Sequence, residues 1–220
     1  VPARSFRGIV SDANPIPLPD SFASVVVATE VMEHVEHPER FLAELVRIGK
    51  PGARYLLSVP DPTSEGVMKV VAPPWYWEKP LHINVFQHDE LDAMFAAAGL
   101  NVEARHSSGF YWSMWWVFRL AIGMEHKYAP TPPTSILRSW DETMDALMQT
   151  PQGPEVLRTL DALVPKSQVL IARKPGRAGS ASSFGGPTWR AGRLRRAVRD
   201  GAVRLGGFDV RWSVRRAKGA

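Results

Sequence analysis

Apolar residues fall along this chain in short runs whose spacing changes from segment to segment. Phe6 to Val10 is a brief apolar run closed by Asp12 and reads as a strand. Pro15, Pro17 and Pro19 then forbid regular structure as far as Phe22. Val25 to Val31 is almost uniformly apolar and β-branched without alternation, the pattern of a strand buried on both faces. From Pro38 the period changes: Phe41, Leu42, Leu45, Val46 and Ile48 recur at helical spacing, and Gly49 with Pro51-Gly52 ends the helix. Arg54 to Val59 is the next strand. His88 to Ala98 is a second helix, with Leu91, Met94 and Phe95 on one face and Gly99 at its end. Leu100 to Ala104 and Gln168 to Ala172 read as strands, and Val156 to Leu163 as a helix.

Strand, helix, strand, helix, strand in this order predicts a mostly parallel sheet covered on both faces. Two stretches do not follow the pattern. Residues 61–88 form a proline- and aromatic-rich connection without a clear period. Residues 110–148 form an aromatic insert with Trp112, Trp115 and Trp116, divided by Pro130, Pro132 and Pro133. The most apolar run, Phe110 to Met124, includes Arg119 and falls short of the ~20 residues that span a bilayer. No membrane-spanning segment is expected.

Charge divides the chain. Residues 176–220 carry 11 Lys and Arg against 2 Asp and Glu, whereas the other 175 residues carry 16 against 20. The net charge of +5 is therefore a property of the tail, and the body is mildly acidic. The expected organisation is one α/β domain over 1–175, with inserts at 61–88 and 110–148, followed by a basic tail over 176–220. The tail starts with a Gly/Ser linker, and Trp189, Leu194, Val198, Val203 and Leu205 give it only a loose amphipathic character broken by glycines. It is expected to be disordered, and no nucleic-acid partner is expected. The chain has no cysteine, which excludes disulfides and thiolate metal sites and suits a cytoplasmic protein.

In open α/β sheets, ligands bind beyond the carboxyl ends of the strands. Asp12, Thr29-Glu30 and Val59 to Asp61 share that rim. The segment Glu30-Val-Met-Glu33-His34-Val-Glu36-His37 adds carboxylates and imidazoles, which suit a hard or borderline cation. The same residues can serve as a loop brace and helix cap. His34, with an ordinary imidazole pKa, suits general base catalysis at a hydroxyl. His37, just before Pro38, is expected to be solvated. Trp75, Tyr76, Trp77, His82 and Asn84 are candidates for an acceptor pocket, as are the tryptophans at 112–116. Aromatic clusters also build ordinary core.

The order of motifs in VSDANPIPLPDSFASVVVATEVMEHVEHPERFLAELVRIGKPGARYLLSVP resembles the second half of a class I S-adenosylmethionine-dependent methyltransferase, of the group that includes the ubiquinone-biosynthesis O-methyltransferases. FQHDELDAMFAAAGL resembles the helix after the fifth strand of that fold, and Gln168 to Lys174 its terminal antiparallel strand. The resemblance covers roughly residues 6–175, the third to last of seven strands. It implies an incomplete Rossmann-like doubly wound sheet. Two departures are Ala23, where relatives carry Asp after the Leu18–Phe22 turn, and Ala53, where a second Gly is common.

The resemblance further implies S-adenosylmethionine as cofactor. Asp12 would meet the adenine amino group and the Ala13 N–H a ring nitrogen, and Glu30 is grouped with them as cofactor-binding. Leu18 and Phe22 would seal the edge of the adenine site. His34 becomes the candidate catalytic residue. Some relatives hold a divalent cation on a Glu-x-x-Glu-His motif, which makes Glu30, Glu33, His34 and a later His82 a possible ligand set. The expected reaction is methyl transfer to a small-molecule acceptor, at oxygen. The G-x-G-x-G turn that seats the cofactor's amino-acid part is not in the needed place. That implies a chain lacking its front end, with two strands and two helices missing, that binds the cofactor weakly by itself. A non-catalytic methyltransferase-like binding module is the alternative, and an unrelated doubly wound nucleotide-binding domain a third reading.

Overall fold

The computed structural model describes residues 8–123 and 135–176, together with the backbone of 200–205 and 208–213. Strand β1 (Ala23–Thr29) pairs in parallel with β2 (Gly49–Pro60). Helix α1 (Pro38–Ile48) makes the crossover between them, opened by Pro38 at its first position, where a missing N–H costs nothing. Helices α2 (Pro62–Val71) and α3 (His88–Ala97) lead to β3 (Asn101–Ser108). Helices α4 (Phe110–Ala121), α5 (Ser135–Gln149) and α6 (Gly153–Leu163) then return the chain to β4 (Ser167–Arg173). The sheet order is β1-β2-β4-β3, with β4 antiparallel to both neighbours.

Register decides which residues form the core. Val26 faces Tyr55 and Ala28 faces Leu57, while Tyr55 and Leu57 face Ala172 and Leu170 across the next ladder. These six side chains share one face. Phe41, Leu42 and Leu45 of α1 and Leu91 and Phe95 of α3 close over it as one buried cluster. Each such fully buried aliphatic or aromatic side chain contributes about 1.5–3 kcal/mol. A second, smaller cluster joins α2 to α4 through Met68, Tyr76 and Leu120, with Trp116 and Val117 packed against it.

The structure corrects several expectations. Residues 8–10 form no strand, and Val10 is fully exposed; residues 6–7 lie outside the described residues. The run at Val25 is not buried on both faces: Val25 and Val27 are 47% and 50% exposed. On their side of the sheet Leu56, Val169 and Ile171 are only half-buried, because α1 and α3 both cover the other face. Periodicity misjudged this strand since it reports apolar content, not which face has a partner.

The connection 61–88 is also more ordered than its composition suggests. It contains α2 and a 3-10 turn, Pro74–Trp77. Asp61 caps α2, its side chain accepting from Thr63 N, and Pro62 follows at the first helical position. The insert 110–148 includes two helices, α4 and most of α5, with 124–134 outside the described residues. Within the tail expected to be disordered, β5 (Asp200–Leu205) and β6 (Phe208–Ser213) pair as an antiparallel ladder. Alternating residues on either side of Gly206-Gly207 carry that hairpin signal in the sequence. Other parts of the tail from residue 177 on lie outside the described residues.

Candidate functional site

Because β1 and β2 run in parallel, their carboxyl ends share one rim, and the antiparallel β4 begins there. Glu30 follows β1 directly, with φ of +54° and its N–H bonded to Ser58 O. Its carboxylate is held at both oxygens: Ser58 Oγ donates to Oε1 at 3.0 Å and Lys166 Nζ to Oε2 at 3.1 Å. Neither Ser58 nor Lys166 stands out in the sequence as functional.

Two residues on, a 3-10 turn (Met32–His34) folds Glu33 inward. Its side chain is fully buried, and neither carboxyl oxygen has a hydrogen-bond partner among the described residues. Burial, reinforced by the negative charge of Glu30, pushes its pKa up to about 8. The Glu33 carboxyl is therefore protonated at neutral pH. His34 Nε2 lies 3.4 Å from Glu33 Oε1. Segment 82–84 docks on this turn: the backbone N–H groups of Ile83 and Asn84 both donate to Glu33 O, and Asn84 Nδ2 donates to Val35 O at 2.7 Å. His82 is thereby brought to His34, with ring centroids 5.2 Å apart.

Glu33, His34 and His82 each offer a ligand atom within 4.8 Å of one another. Glu30 drops out of the expected ligand set because Ser58 and Lys166 already hold its carboxylate. Behind His82 lies Glu65 of α2, buried and unremarked in the sequence. Its Oε2 is 3.2 Å from His82 Nδ1, and its Oε1 accepts from the Tyr76 hydroxyl at 3.3 Å. Burial, with the charge of Glu65, drives the Tyr76 phenol far above its ordinary pKa, so it stays neutral and donates. A Glu in the first turn of an unrecognised helix gives no periodic signal; recognising Asp61-Pro62 as a helix start would have drawn attention to it.

Asp12 and Ala13 lie on the loop that leads into β1. Asp12 is exposed, and its Oδ1 accepts from Asn14 N at 3.0 Å, while Ala13 N donates to Ser11 Oγ at 2.9 Å. Ala13 has φ of +60°. Both Ala13 and Glu30 thus hold a left-handed backbone rare for residues with a Cβ, the kind of outlier that accumulates at ligand sites. The loop is pinned to α1: Arg47 donates to Leu18 O, Ile16 O and Asp20, and Glu44 accepts from Ile16 N. Leu18 is half-buried and Phe22 is exposed. His37 is exposed, as expected.

Of the candidate aromatics, Tyr76 is buried beside the Glu33 cluster and Trp77 packs edge-on against it. Trp115 and Trp116 lie on α4, both under the Arg119 guanidinium at 5.2 and 5.1 Å. Among the described residues no helix is long and apolar enough to cross a membrane.

Residues 5–105 match the family described as methyltransferase domain. No curated protein sequence matches the chain. Similar solved structures include a chain of the complex between the Haloferax volcanii Trm112 methyltransferase activator and a methyltransferase, at 18% identity and TM-score 0.45, covering 76% of this chain and 61% of that one. A methyltransferase from Bacillus halodurans C-125 has 17% identity and TM-score 0.41 over 75% of this chain and 70% of that one. An S-adenosylmethionine-dependent methyltransferase from Mesorhizobium loti has 15% identity and TM-score 0.42 over 74% and 67%. The chain thus spans less than two thirds of the Haloferax protein's length. Over residues 5–105 it is similar to the methyltransferase-domain family.

Proposed function

We propose that this chain takes part in S-adenosylmethionine-dependent methyl transfer to a hydroxyl oxygen of a small molecule, with the Glu33–His34–His82 cluster handling the acceptor. The observation that carries this reading is the convergence of two imidazoles on a buried carboxyl at the rim of the sheet of a methyltransferase-domain chain. The adenine side of the cofactor would fall to the exposed Asp12 carboxyl and to Ala13, whose N–H would exchange Ser11 Oγ for a ring nitrogen, with Glu30 the third cofactor-binding residue. The described residues include no glycine-rich strand-to-helix turn for its amino-acid part. When bound, S-adenosylmethionine supplies the methyl group on a sulfonium.

The residues of the chain supply the rest. A hydroxyl acceptor must lose its proton as it becomes a nucleophile, and His34 is the candidate base, 28% exposed and so open to a ligand. The neutral Glu33 beside it adds no charge that would hold the imidazole protonated. Glu30, fixed by Ser58 and Lys166, keeps the rim in shape. The absence of cysteine supports a reducing, cytoplasmic setting.

The test is transfer of labelled methyl from millimolar S-adenosylmethionine to a panel of phenols, catechols and alcohols. Transfer is expected to fall about 10²–10⁴-fold in His34→Ala and to persist in His37→Ala. Transfer that ignores His34 would overturn the assignment, and no transfer to any acceptor would favour a non-catalytic binding module.

A second reading has its own support. Among the described residues the buried Glu33 carboxyl oxygens have no hydrogen-bond partner, and one carboxylate with two imidazoles is a donor set suited to a borderline divalent cation. Glu33, His34 and His82 would hold it, and it would polarise the acceptor oxygen. Mn²⁺ at a hundred times its Kd would then stabilise the fold by about 2.7 kcal/mol. The same shift in His82→Ala would rule these ligands out.

A further inference from the structure

His82 reaches the cluster through two separate devices. The backbone bonds from Ile83 and Asn84 to Glu33 O, and from Asn84 Nδ2 to Met32 O and Val35 O, fix where the ring lies. They do not decide which ring nitrogen carries the proton. That decision falls to Glu65, only 1% exposed and 17 residues away in sequence, whose Oε2 is 3.2 Å from His82 Nδ1. A carboxylate only accepts, so the nitrogen facing it is N–H. The other nitrogen, Nε2, is left with its lone pair. Tyr76 occupies the remaining Glu65 oxygen by donating its hydroxyl, and its ring lies 4.8 Å from that of His82. The carboxylate therefore has both oxygens engaged and cannot turn away.

We infer that Glu65 is a positioning residue, which locks His82 in its Nδ1–H tautomer so that Nε2 is the atom offered to the Glu33–His34 cluster. A carboxylate behind an imidazole in this way sets the tautomer and orients the ring. That makes His82 Nε2 a proton acceptor or cation ligand in its own right, next to His34. The inference deepens the proposed function and rests on reading this cluster as the place where the acceptor is handled. The tautomer itself can be read without cofactor or acceptor.

The experiment is long-range ¹H–¹⁵N correlation of ¹⁵N-histidine-labelled protein, with His82 assigned from His82→Gln, at a pH where the imidazole is neutral. In the wild type, Nδ1 is expected to show the shift of a protonated nitrogen and Nε2 that of an unprotonated one. In Glu65→Leu, which removes the acceptor, the pattern is expected to reverse towards Nε2–H while circular dichroism is retained. A wild-type ring in the Nε2–H form, or an unchanged tautomer in folded Glu65→Leu, would overturn the inference. The wild-type spectrum decides alone if the variant fails to fold. A locked Nδ1–H tautomer together with methyl transfer independent of His34 would leave Glu65 as assigned and defeat the proposed function instead.

Discussion

Lys166 and Glu30 lie 136 residues apart in sequence, yet the Lys166 ammonium donates to the Glu30 carboxylate at 3.1 Å. The pair ties the entry of β4 to the exit of β1, two strands that are not neighbours in the sheet. Lys166 also accepts at its backbone oxygen from Asp61 N, and so fastens the end of β2 to the same point. Lys166→Met keeps the aliphatic stem but loses the charge. Glu30 is about a third exposed, so the expected loss is about 1 kcal/mol by urea denaturation at neutral pH.

Glu33 makes stability depend on pH. Its folded pKa, raised to about 8 by burial and by Glu30, lies well above the ordinary carboxyl value of 4.5 that it regains on unfolding. Below pH 4.5 both states are protonated. Between 4.5 and about 8 the unfolded chain releases a proton that the folded chain keeps, so stability falls as pH rises across that window. The expected size is a few kcal/mol. In EDTA, Glu33→Gln should match the wild type near pH 4.5 and melt higher at pH 8. Equal melting temperatures at pH 8 would show that Glu33 is not buried neutral.

Gly49 admits no side chain. A Cβ there would stand 1.8 Å from Tyr55 Oη and 2.7 Å from its Cζ, and Tyr55 is buried in the core against α1. Gly49→Ala must displace that ring and is expected to cost about 1–3 kcal/mol. Tyr55→Phe removes the offending oxygen, so the double variant should recover part of the loss in a thermal melt.

The loop carrying Asp12 and Ala13 is held by Arg47, which donates to two loop carbonyls and to Asp20, and which orders Glu44 to accept from Ile16 N. Arg47→Met should leave α1 intact but release the loop. The expected signature is faster amide exchange at Ile16, with the α1 amides unchanged. Unchanged exchange at Ile16 would mean that Glu44 alone suffices.

How far the chain could be read residue by residue follows from the range of each interaction. The α1 and α3 helices were visible because their apolar residues recur every three or four positions and their ends carry Pro38, Gly49 and Gly99. The Gln87–Glu90 capping box adds to that local signal. Helix α2 was overlooked although Asp61-Pro62 announces it, because Ser64 and Glu65 break its apolar stripe by facing inward. His34 and Glu33 were legible as a motif within one turn. Glu65 and Lys166 were not, since each meets its partner only through the fold.

The sequence by itself determined the order of β1, α1, β2, α3, β3, α6 and β4, the Glu33-His34 motif that follows β1, and the family the chain resembles. These depend on local periodicity, caps and turns, which a few neighbouring residues specify. Tertiary structure alone decided that β1 has one covered face, that Glu30 is held by Lys166, and that Glu33 is buried neutral. It also decided that His82 and Glu65 complete the cluster. Burial and charge coupling act through space, and segments 17 to 136 residues apart become neighbours only when the sheet closes.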